Sequence, residues 1–250
     1  MPADHRASVR SEFERAAAAF AERTAGRFDQ LGVVAFSRVR EGGTVLEVGA
    51  GTGNFLALFQ AVAGRLLAVD VTRGMLEQAR RRHRGLQLVL ADGARLPLRD
   101  GSVDLAASAQ ALHHMPDPIP VLRELGRVAA GRGRVLIVDQ VASEAPEEAA
   151  ALHELEVVRD PSHAATRPPS ELRRLLAAAG LRLLDERLTE QEQRLSNWMW
   201  PGEFPAERID AVRDLIARRG GETDMGFREL DGGDYSFTRR RVMLLAEAER

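Results

Sequence analysis

The chain has 250 residues, of which 44% are hydrophobic and 29% are charged, and its net charge of −2 provides no broad basic surface for nucleic acid. It contains no cysteine, which excludes disulfides, thiolate metal sites and cysteine nucleophiles. All 35 basic residues are arginine, so chemistry that proceeds through a lysine Schiff base is also excluded.

The first 42 residues are predicted to be helical. Residues 8–25 place Phe13, Ala16, Ala17 and Phe20 on one stripe of a helix. A second helix is predicted over residues 30–39. We expect this region to form a helical cover over the rest of the molecule.

Strands and helices alternate from residue 43 to residue 140. The predicted helices cover residues 72–82, with Thr72 as N-cap, and 117–129. Short apolar runs predict strands at 44–49, 65–71, 86–91, 102–109 and 133–140. This alternation predicts a doubly wound α/β sheet.

The last 110 residues are less regular. We predict a helix over 146–159, a helix to Ala179 that Ser170 caps and Gly180 ends, a strand over 181–188 and a final strand over 235–246. Between the last two strands, the segment 189–233 contains Trp198, Trp200 and a predicted helix over 206–219. We interpret it as a lid insert within a single domain, whose acceptor-side half is 141–250.

Three glycines and one carboxylate mark the end of the first predicted strand. The run Glu47-Val-Gly49-Ala-Gly51-Thr-Gly53 permits a tight turn and a close approach of backbone to a ligand, with N–H groups offered by a following helix. Its third glycine comes one residue earlier than in the dinucleotide-binding fingerprint. Because Glu47 can attract an ammonium, the motif suits a ligand with an amino-acid end.

Carboxylates also end the next two predicted strands. Asp70 lies 17 residues after Gly53 and can accept hydrogen bonds from a ribose diol. Asp92, followed by Gly93, can accept a hydrogen bond from an adenine amine. Ligands of open α/β sheets lie at the carboxyl ends of the strands, so we expect these residues to form one site.

These motifs resemble those of class I S-adenosylmethionine-dependent methyltransferases. The similarity covers residues 44–140 well and 160–188 more loosely, through Ala-Val-Asp70, Ala-Asp92-Gly-Ala-Arg-Leu-Pro-Leu and Ala-Leu-His-His-Met-Pro-Asp117. It is closest to the broad group that includes menaquinone, ubiquinone and many small-molecule methyltransferases. The resemblance implies a Rossmann-like sheet, mostly parallel, with an antiparallel last strand.

The resemblance also implies which residues bind S-adenosylmethionine. The cofactor set is Glu47, Gly49, Ala50, Gly51, Gly53, Asp70, Val71, Asp92, Gly93, Ser108 and Phe20. Within it, Ser108 begins a run to Gln110 on the reactive side of the cofactor. Phe20 belongs to the N-terminal helix, which commonly closes over the site.

Two histidines follow the fourth predicted strand, close to where an acceptor would bind. His114, and secondarily His113, are our candidates for a general base, since an imidazole accepts a proton near neutral pH. The alternative is that they pack the loop, with His163 or simple proximity serving the transfer. No metal site is predicted.

The expected function is methyl transfer from S-adenosylmethionine to O, N or C of a small organic acceptor. One alternative keeps the fold and the cofactor but catalyses a cyclisation, or only binds the cofactor. A nicotinamide oxidoreductase is a further alternative that the glycine spacing disfavours. We expect a cytoplasmic protein with no nucleic-acid or membrane partner, and the residues leave a homodimer open.

Overall fold

The computed structural model describes residues 3–24, 26–129, 131, 133–199 and 204–249. Its strands are β1 (Thr44–Val48), β2 (Arg65–Asp70), β3 (Leu86–Leu90), β4 (Leu105–Ala109), β5 (Arg134–Gln140), β6 (Leu181–Arg194), β7 (Arg228–Leu230) and β8 (Asp234–Ala248). Its helices are α1 (Ala3–Arg23), α2 (Val33–Ser37), α3 (Arg73–Arg82), α4 (Ile119–Val128), α5 (Pro146–Arg159), α6 (Pro169–Ala178), α7 (Leu195–Trp198) and α8 (Ala206–Arg219).

All eight strands belong to one sheet, in the order β3-β2-β1-β4-β5-β8-β6, with β7 paired to β8. The pairs among β1 to β5 are parallel, whereas β8 runs antiparallel to β5, β6 and β7. The predicted Rossmann-like fold, mostly parallel with an antiparallel last strand, is therefore confirmed. A parallel order places the carboxyl ends of β1 to β5 along one edge of the sheet.

The central strands are apolar along their whole length because both of their faces are covered. Leu46 and Ile137 belong to the core under α4, and Val45 and Leu136 belong to the core on the opposite face, with Phe55. The strand ends are held at the edge of the sheet by these two cores.

Two predicted helices are shorter than expected. Gly32 adopts a left-handed φ of 63°, which ends a 3₁₀ turn at Asp29–Leu31 and separates it from α2, so the predicted helix over 30–39 is wrong. The helix expected after the glycine-rich turn is a single 3₁₀ turn at Leu56–Phe59. The turn itself, rather than a long helix, therefore forms that corner of the sheet.

Two predicted N-caps do not make a side-chain cap. Thr72 is the N-cap residue of α3, but its hydroxyl accepts no side-chain cap hydrogen bond. Ser170 lies inside α6, whose N-cap is Pro168, and its hydroxyl donates to Glu144 at 2.5 Å. Gly180 does follow the end of α6 and has a φ of 76°.

The strand predicted over 181–188 continues to Arg194, so residues 189–194 belong to the sheet and not to a lid insert. The last residue of β5, Gln140, pairs with Arg241 of β8, which also pairs with Thr189 of β6. Residues of β6 after Thr189 therefore pair with a part of β8 that extends past the end of β5. The two strands therefore form a ribbon that extends beyond the carboxyl edge of the sheet. We call residues 190–194 and 234–240 the β6–β8 ribbon.

The remaining part of the insert packs against this ribbon. Trp198, Val212 and Phe237 belong to one buried cluster with residues of α5. Trp200 and residues 201–203 lie outside the described residues. Within the described part of the chain, no helix is both long enough and apolar enough to span a bilayer.

Candidate active site

A cavity lies at the carboxyl ends of β1 to β4. Ten of the residues predicted from the sequence line it: Phe20, Glu47, Gly49, Ala50, Gly51, Asp70, Val71, Asp92, Gly93 and His114. Further lining residues come from α1, which lies across the opening, and from Met115 to Val121 at the start of α4. The fold therefore brings most of the predicted cofactor set together around one space.

The glycine-rich turn is shaped by close contacts and by left-handed backbone. Gly49 has a φ of 72°, and a Cβ atom there would lie 2.6 Å from the Cβ of Ala111. Gly51 has a φ of 52° with open space beside it, so its backbone faces the cavity freely. Only glycine adopts this conformation without strain, which explains the residue type at both positions.

Gly53 and Ser108 do not line the cavity. A Cβ atom on Gly53 would lie 2.8 Å from Leu86, so this glycine permits β3 to pack closely against the turn. Ser108 is fully buried within β4, and its hydroxyl has no hydrogen-bond partner among the described residues. The next two residues along the chain, Ala109 and Gln110, do line the cavity.

Glu47 is a buried carboxylate that faces the cavity. Its Oε2 atom has no hydrogen-bond partner among the described residues. Burial, and to a lesser extent nearby Asp70, raise the pKa of the Glu47 carboxyl well above its ordinary value. An unsatisfied buried acceptor is costly, so this site favours a ligand that brings a cation or a hydrogen-bond donor.

Asp70 connects two loops at this edge. Its Oδ2 accepts a hydrogen bond from the N–H of Gly51 at 2.8 Å, and its Oδ1 accepts one from the N–H of Thr72 at 2.8 Å. A carboxylate has further acceptor capacity beyond one bond per oxygen. Burial raises the pKa of Asp70, while these N–H groups act in the opposite direction.

Asp92 and Gly93 form the next corner. Asp92 accepts a hydrogen bond from the N–H of Ala94 at 2.9 Å, which closes the turn after β3. A Cβ atom on Gly93 would lie 2.3 Å from a methyl group of Val48, so glycine allows this turn to approach β1. Both residues line the same cavity as Glu47 and Asp70.

Helix α1 is attached to the site at three points. Glu14 accepts hydrogen bonds from the N–H of Gly74 at 3.1 and 3.2 Å, at the start of α3. His5 donates to the carbonyl of His114 at 2.9 Å. Phe13 contacts the ring of His114 edge-on, with centroids 4.9 Å apart. Three residues of this helix, Val9, Phe13 and Phe20, line the cavity.

His114 has one ring nitrogen engaged and the other without a partner. Its Nδ1 lies 3.1 Å from the carbonyl oxygen of Ser162 and 3.2 Å from the Ser162 hydroxyl. The hydroxyl donates to Asp160 at 2.6 Å, and a carbonyl can only accept, so Nδ1 carries the hydrogen. The Nε2 atom then holds a lone pair, with no hydrogen-bond partner among the described residues.

His113 is placed differently. Its Nδ1 lies 2.6 Å from Asp139, which also accepts from the backbone N–H of His113 at 3.2 Å. Burial, together with His114 and His163, holds the pKa of His113 well below its ordinary range, and burial raises the pKa of Asp139 to about 6. His113 lies outside the first cavity and orders the turn that presents His114.

A second cavity adjoins the first. The two share a wall of six residues: Phe13, Phe20, Thr24, Arg27, Gln110 and His114. The remaining wall of the second cavity includes His113, Trp198 and residues of α5 and the β6–β8 ribbon. His114 is thus located at the junction of the two spaces.

Sequence reasoning missed the arginines of the second cavity: Arg27, Arg159, Arg239 and Arg241. They are far apart in the chain, so no motif connects them. One signal was available, because Arg239 and Arg241 occupy alternate positions of a strand between Phe237 and Met243, which are apolar and follow the same alternation. A charged residue that points into a buried face is a candidate for function.

The first cavity fits S-adenosylmethionine. The unpartnered oxygen of Glu47 can accept from the ammonium at the methionine end, and the open backbone of Gly51 permits close approach. Asp70 retains acceptor capacity for ribose hydroxyls, and Asp92 lines the part of the cavity beyond it. These donors and acceptors match the groups that this cofactor carries.

Comparisons with known proteins identify the family of the chain. Residues 46–137, which span β1 to β5, match a family model described as a methyltransferase domain. The methyltransferase YcgJ of Bacillus subtilis (strain 168) is 31% identical over 169 residues, which cover 66% of this chain and 67% of that protein. Its crystal structure matches with a TM-score of 0.77 and 24% identity, covering 87% of this chain and 96% of that chain.

Two further matches differ in how much they cover. The BH2331 protein of Bacillus halodurans C-125 matches with a TM-score of 0.80 and 22% identity, covering 89% of this chain and 99% of that chain. The demethylmenaquinone methyltransferase of Clavibacter sepedonicus is 36% identical over 117 residues, which are 44% of this chain and 48% of that enzyme. The fold, the site and these relatives establish that the chain belongs to the class I S-adenosylmethionine-dependent methyltransferase family.

Proposed function

We propose that the protein transfers a methyl group from S-adenosylmethionine to an oxygen, nitrogen or carbon atom of a small organic acceptor. The observation that carries this proposal is the shared wall between the cofactor cavity and the second cavity, with His114 at the junction. Methyl transfer is an in-line displacement, so donor and acceptor have to face each other across such a junction. The relative from Clavibacter sepedonicus acts, by its name, on a small molecule.

Each cofactor residue has a distinct task in this proposal. S-adenosylmethionine supplies a methyl group that is already activated by its sulfonium. Glu47 accepts from the ammonium, Asp70 accepts from the ribose and Asp92 accepts from the adenine amine. Gly49 and Gly51 keep side chains away from the methionine end. Gly53 and Ser108, which do not line the cavity, take no direct part.

His114 is proposed to accept a proton from the acceptor. Its Nδ1–H donates to the Ser162 carbonyl, which leaves the lone pair on Nε2. Phe13 packs against the ring and limits its rotation. An acceptor that bears no acidic proton at the reacting atom needs no base, and for such a molecule His114 only shapes the junction.

Two elements are proposed to exclude water. Helix α1 lies over both cavities through Phe13 and Phe20. Trp198 closes the second cavity from the insert, where it packs 5.0 Å from the ring of Phe237. A closed site prevents hydrolysis and fixes the line of approach between donor and acceptor.

The test is product analysis with S-adenosylmethionine that carries a deuterated methyl group. The protein is incubated with panels of small phenols, amines and carboxylic acids, and products are identified by mass spectrometry. We expect one deuterated methyl group per product and an equal amount of S-adenosylhomocysteine. A protein that catalyses a cyclisation, or that only binds the cofactor, would release no S-adenosylhomocysteine; that result, with intact cofactor binding, would overturn the proposal.

A further inference from the structure

The second cavity is lined by four arginines, Arg27, Arg159, Arg239 and Arg241. Two of them have a carboxylate partner. Arg159 and Arg239 each form an ion pair with Glu156 at 2.9 Å, and both guanidinium groups lie over the ring of Trp198, at 4.8 and 5.4 Å. Arg159 and Arg239 therefore form a structural cluster with the buried Glu156 in the cavity wall.

The other two arginines have no carboxylate partner among the described residues. Arg27 donates to the Oε1 of Gln110 at 3.0 Å, and Arg241 donates to the backbone carbonyl of Arg27 at 3.3 Å. Only 3% of Arg241 is exposed to solvent. Burial, followed by the neighbouring arginines, lowers the pKa of Arg27 to about 9, and burial with Arg239 lowers that of Arg241 to about 10. Both remain cations at neutral pH, although their charge is poorly compensated.

The nearby carboxylates are engaged elsewhere. Glu12 pairs with Arg15 at 2.5 Å, and Glu192 pairs with Arg228 at 3.1 Å. Asp160 accepts hydrogen bonds from the N–H and hydroxyl of Ser162, and lies 3.7 Å from Arg159.

Asp139, behind the wall, bonds to His113 and to two backbone N–H groups. Its negative charge partly compensates the charges of Arg27 and Arg241, although it makes no hydrogen bond to either arginine.

Two more unsatisfied groups on this wall are also donors. The Nε2 of Gln110 and the Nε1 of Trp198 are buried, and neither has an acceptor among the described residues. The orientation of the Gln110 amide is set by Arg27, which can only donate, so its NH₂ group is the one left free. The wall therefore offers two cations that have no carboxylate partner among the described residues. It also offers two N–H donors that have no acceptor there.

We propose that the acceptor carries a carboxylate or phosphate group, which Arg27 and Arg241 bind in the second cavity together with Gln110 and Trp198. This inference rests on the proposed function, because it takes the second cavity as the acceptor site. Guanidinium groups form short, charge-assisted hydrogen bonds with both anions. An anion bound by Arg27 and Arg241 would compensate their charge and would fix the far end of the acceptor while its reacting atom faces His114.

The test measures anion binding directly. The chain has two tryptophans, and Trp198 lies in the cavity wall, so tryptophan fluorescence reports occupancy. Protein saturated with S-adenosylhomocysteine is titrated with inorganic phosphate and, separately, with benzoate at constant ionic strength. We expect saturable binding of at least one probe; tighter binding of phosphate indicates a phosphate-bearing acceptor, and tighter binding of benzoate indicates a carboxylate.

Variants connect the binding to the two arginines. Arg27→Gln and Arg241→Gln should each lower the affinity for the probe by about 10- to 100-fold. Arg213→Gln, at an exposed position of α8, is the matched control and should leave the affinity unchanged. If Arg241→Gln fails to fold, as judged by circular dichroism, Arg27→Gln and Arg241→Lys carry the test.

The outcomes separate this inference from the proposed function. Absence of saturable binding of both probes, or equal binding by the Arg27 variants and the native protein, overturns the anionic acceptor. Cofactor affinity and methylated product are measured independently, so methylation of a neutral acceptor alone would leave the transferase proposal intact. Failure of methyl transfer with all acceptors, with the anion still bound by Arg27 and Arg241, would instead count against the transferase proposal.

Discussion

The carboxylate of Asp70 accepts a hydrogen bond from the backbone N–H of Gly51 at 2.8 Å, which ties the carboxyl end of β2 to the glycine-rich turn after β1. One side chain therefore organises the turn and also faces the cofactor cavity. Substitutions at Asp70 will combine these two effects, and the experiment has to distinguish them.

Asp70→Ala is expected to weaken S-adenosylhomocysteine binding by about 10- to 100-fold, since hydrogen bonds to a charged acceptor contribute about 1.5–3 kcal/mol. It should also lower the melting temperature, because the N–H groups of Gly51 and Thr72 lose their acceptor. Asp70→Asn retains one acceptor and should recover part of both losses. Isothermal calorimetry and thermal unfolding measure the two effects, with exposed Asp214→Ala as the control; unchanged affinity in Asp70→Ala would remove the residue from the ribose site.

Gly51→Ala should impair both folding and cofactor binding. Its φ of 52° strains an alanine, and the same is true of Gly85, whose φ is 84°; neither has an atom within 4 Å of the added Cβ. Both variants should therefore lose about 1–2 kcal/mol of stability. Only Gly51 lines the cavity, so only Gly51→Ala should lose cofactor affinity, by about tenfold or more. Equal affinities in the two variants would contradict a backbone approach at Gly51.

Glu47 should make the apoprotein less stable as the pH rises. Burial and Asp70 raise the pKa of its carboxyl in the folded state above the ordinary value of 4.5, so the folded protein holds a proton that the unfolded chain releases. The contribution of Glu47 to stability is complete below pH 4.5 and is lost progressively as the pH rises above that value. Urea unfolding between pH 5 and pH 9 should show a decline that Glu47→Gln reduces.

The Glu47→Gln substitution should also weaken binding of the cofactor. Glu47→Gln loses the charge that attracts the ammonium, and we expect the affinity for S-adenosylhomocysteine to fall by about 10- to 100-fold. The variant is thus more stable without ligand and poorer in binding. Exposed Glu207→Gln is the control, and a Glu47→Gln protein with native affinity would show that the ammonium binds elsewhere.

His114→Ala should lower the turnover by about 10²–10⁴-fold while cofactor affinity stays nearly native, if the acceptor loses a proton in the reaction. Single-turnover kinetics on folded protein make the measurement, and exposed His153→Ala is the control. A His114→Ala enzyme with a native rate per folded molecule would show that the residue only packs the junction.

Cofactor binding should protect α1 from hydrogen exchange. Phe13 and Phe20 line both cavities, and Glu14 joins the helix to the start of α3, so a bound cofactor stabilises the closed position. We expect amides of α1 to exchange about tenfold more slowly with S-adenosylhomocysteine present. Peptides from α6, which lies outside both cavities, are the internal control; equal protection of α1 with and without ligand would argue against a cover. The segment from Trp198 to Phe204 should follow α1.

The cofactor half was predictable from sequence because its candidate residues lie at or just after the carboxyl ends of strands. Glu47 and Asp70 lie at the ends of β1 and β2, Asp92 follows β3 by two residues, and the parallel order of the strands brings such ends to one edge. The limits of the prediction are also physical. Gly53 shares the spacing of the turn but supports packing, and a sequence motif does not distinguish a glycine beside a ligand from one beside Leu86.

The acceptor half was less predictable because distant segments form it. The ribbon portion of β6 is polar and largely exposed, so no alternation of apolar residues marks it, and its hydrogen bonds to β8 hold it in place instead. Arg27 and Arg241 come together although 214 residues separate them. The helix expected after Gly53 also failed, since the apolar run from Phe55 to Phe59 packs as a 3₁₀ turn into the core.

In the proposed function, the β6–β8 ribbon allows the choice of acceptor to change independently of the cofactor site. Beyond Gln140 the two strands pair only with each other and with β7, so side chains of the ribbon can change without altering a backbone hydrogen bond between the strands β1 to β5. Arg239 lies in the ribbon and Arg241 lies just after it on the same face of β8, a separation of about 7 Å along the strand. Exchanging residues at alternate positions of the ribbon is therefore a direct route to a transferase with a redesigned substrate range and an unchanged methyl donor.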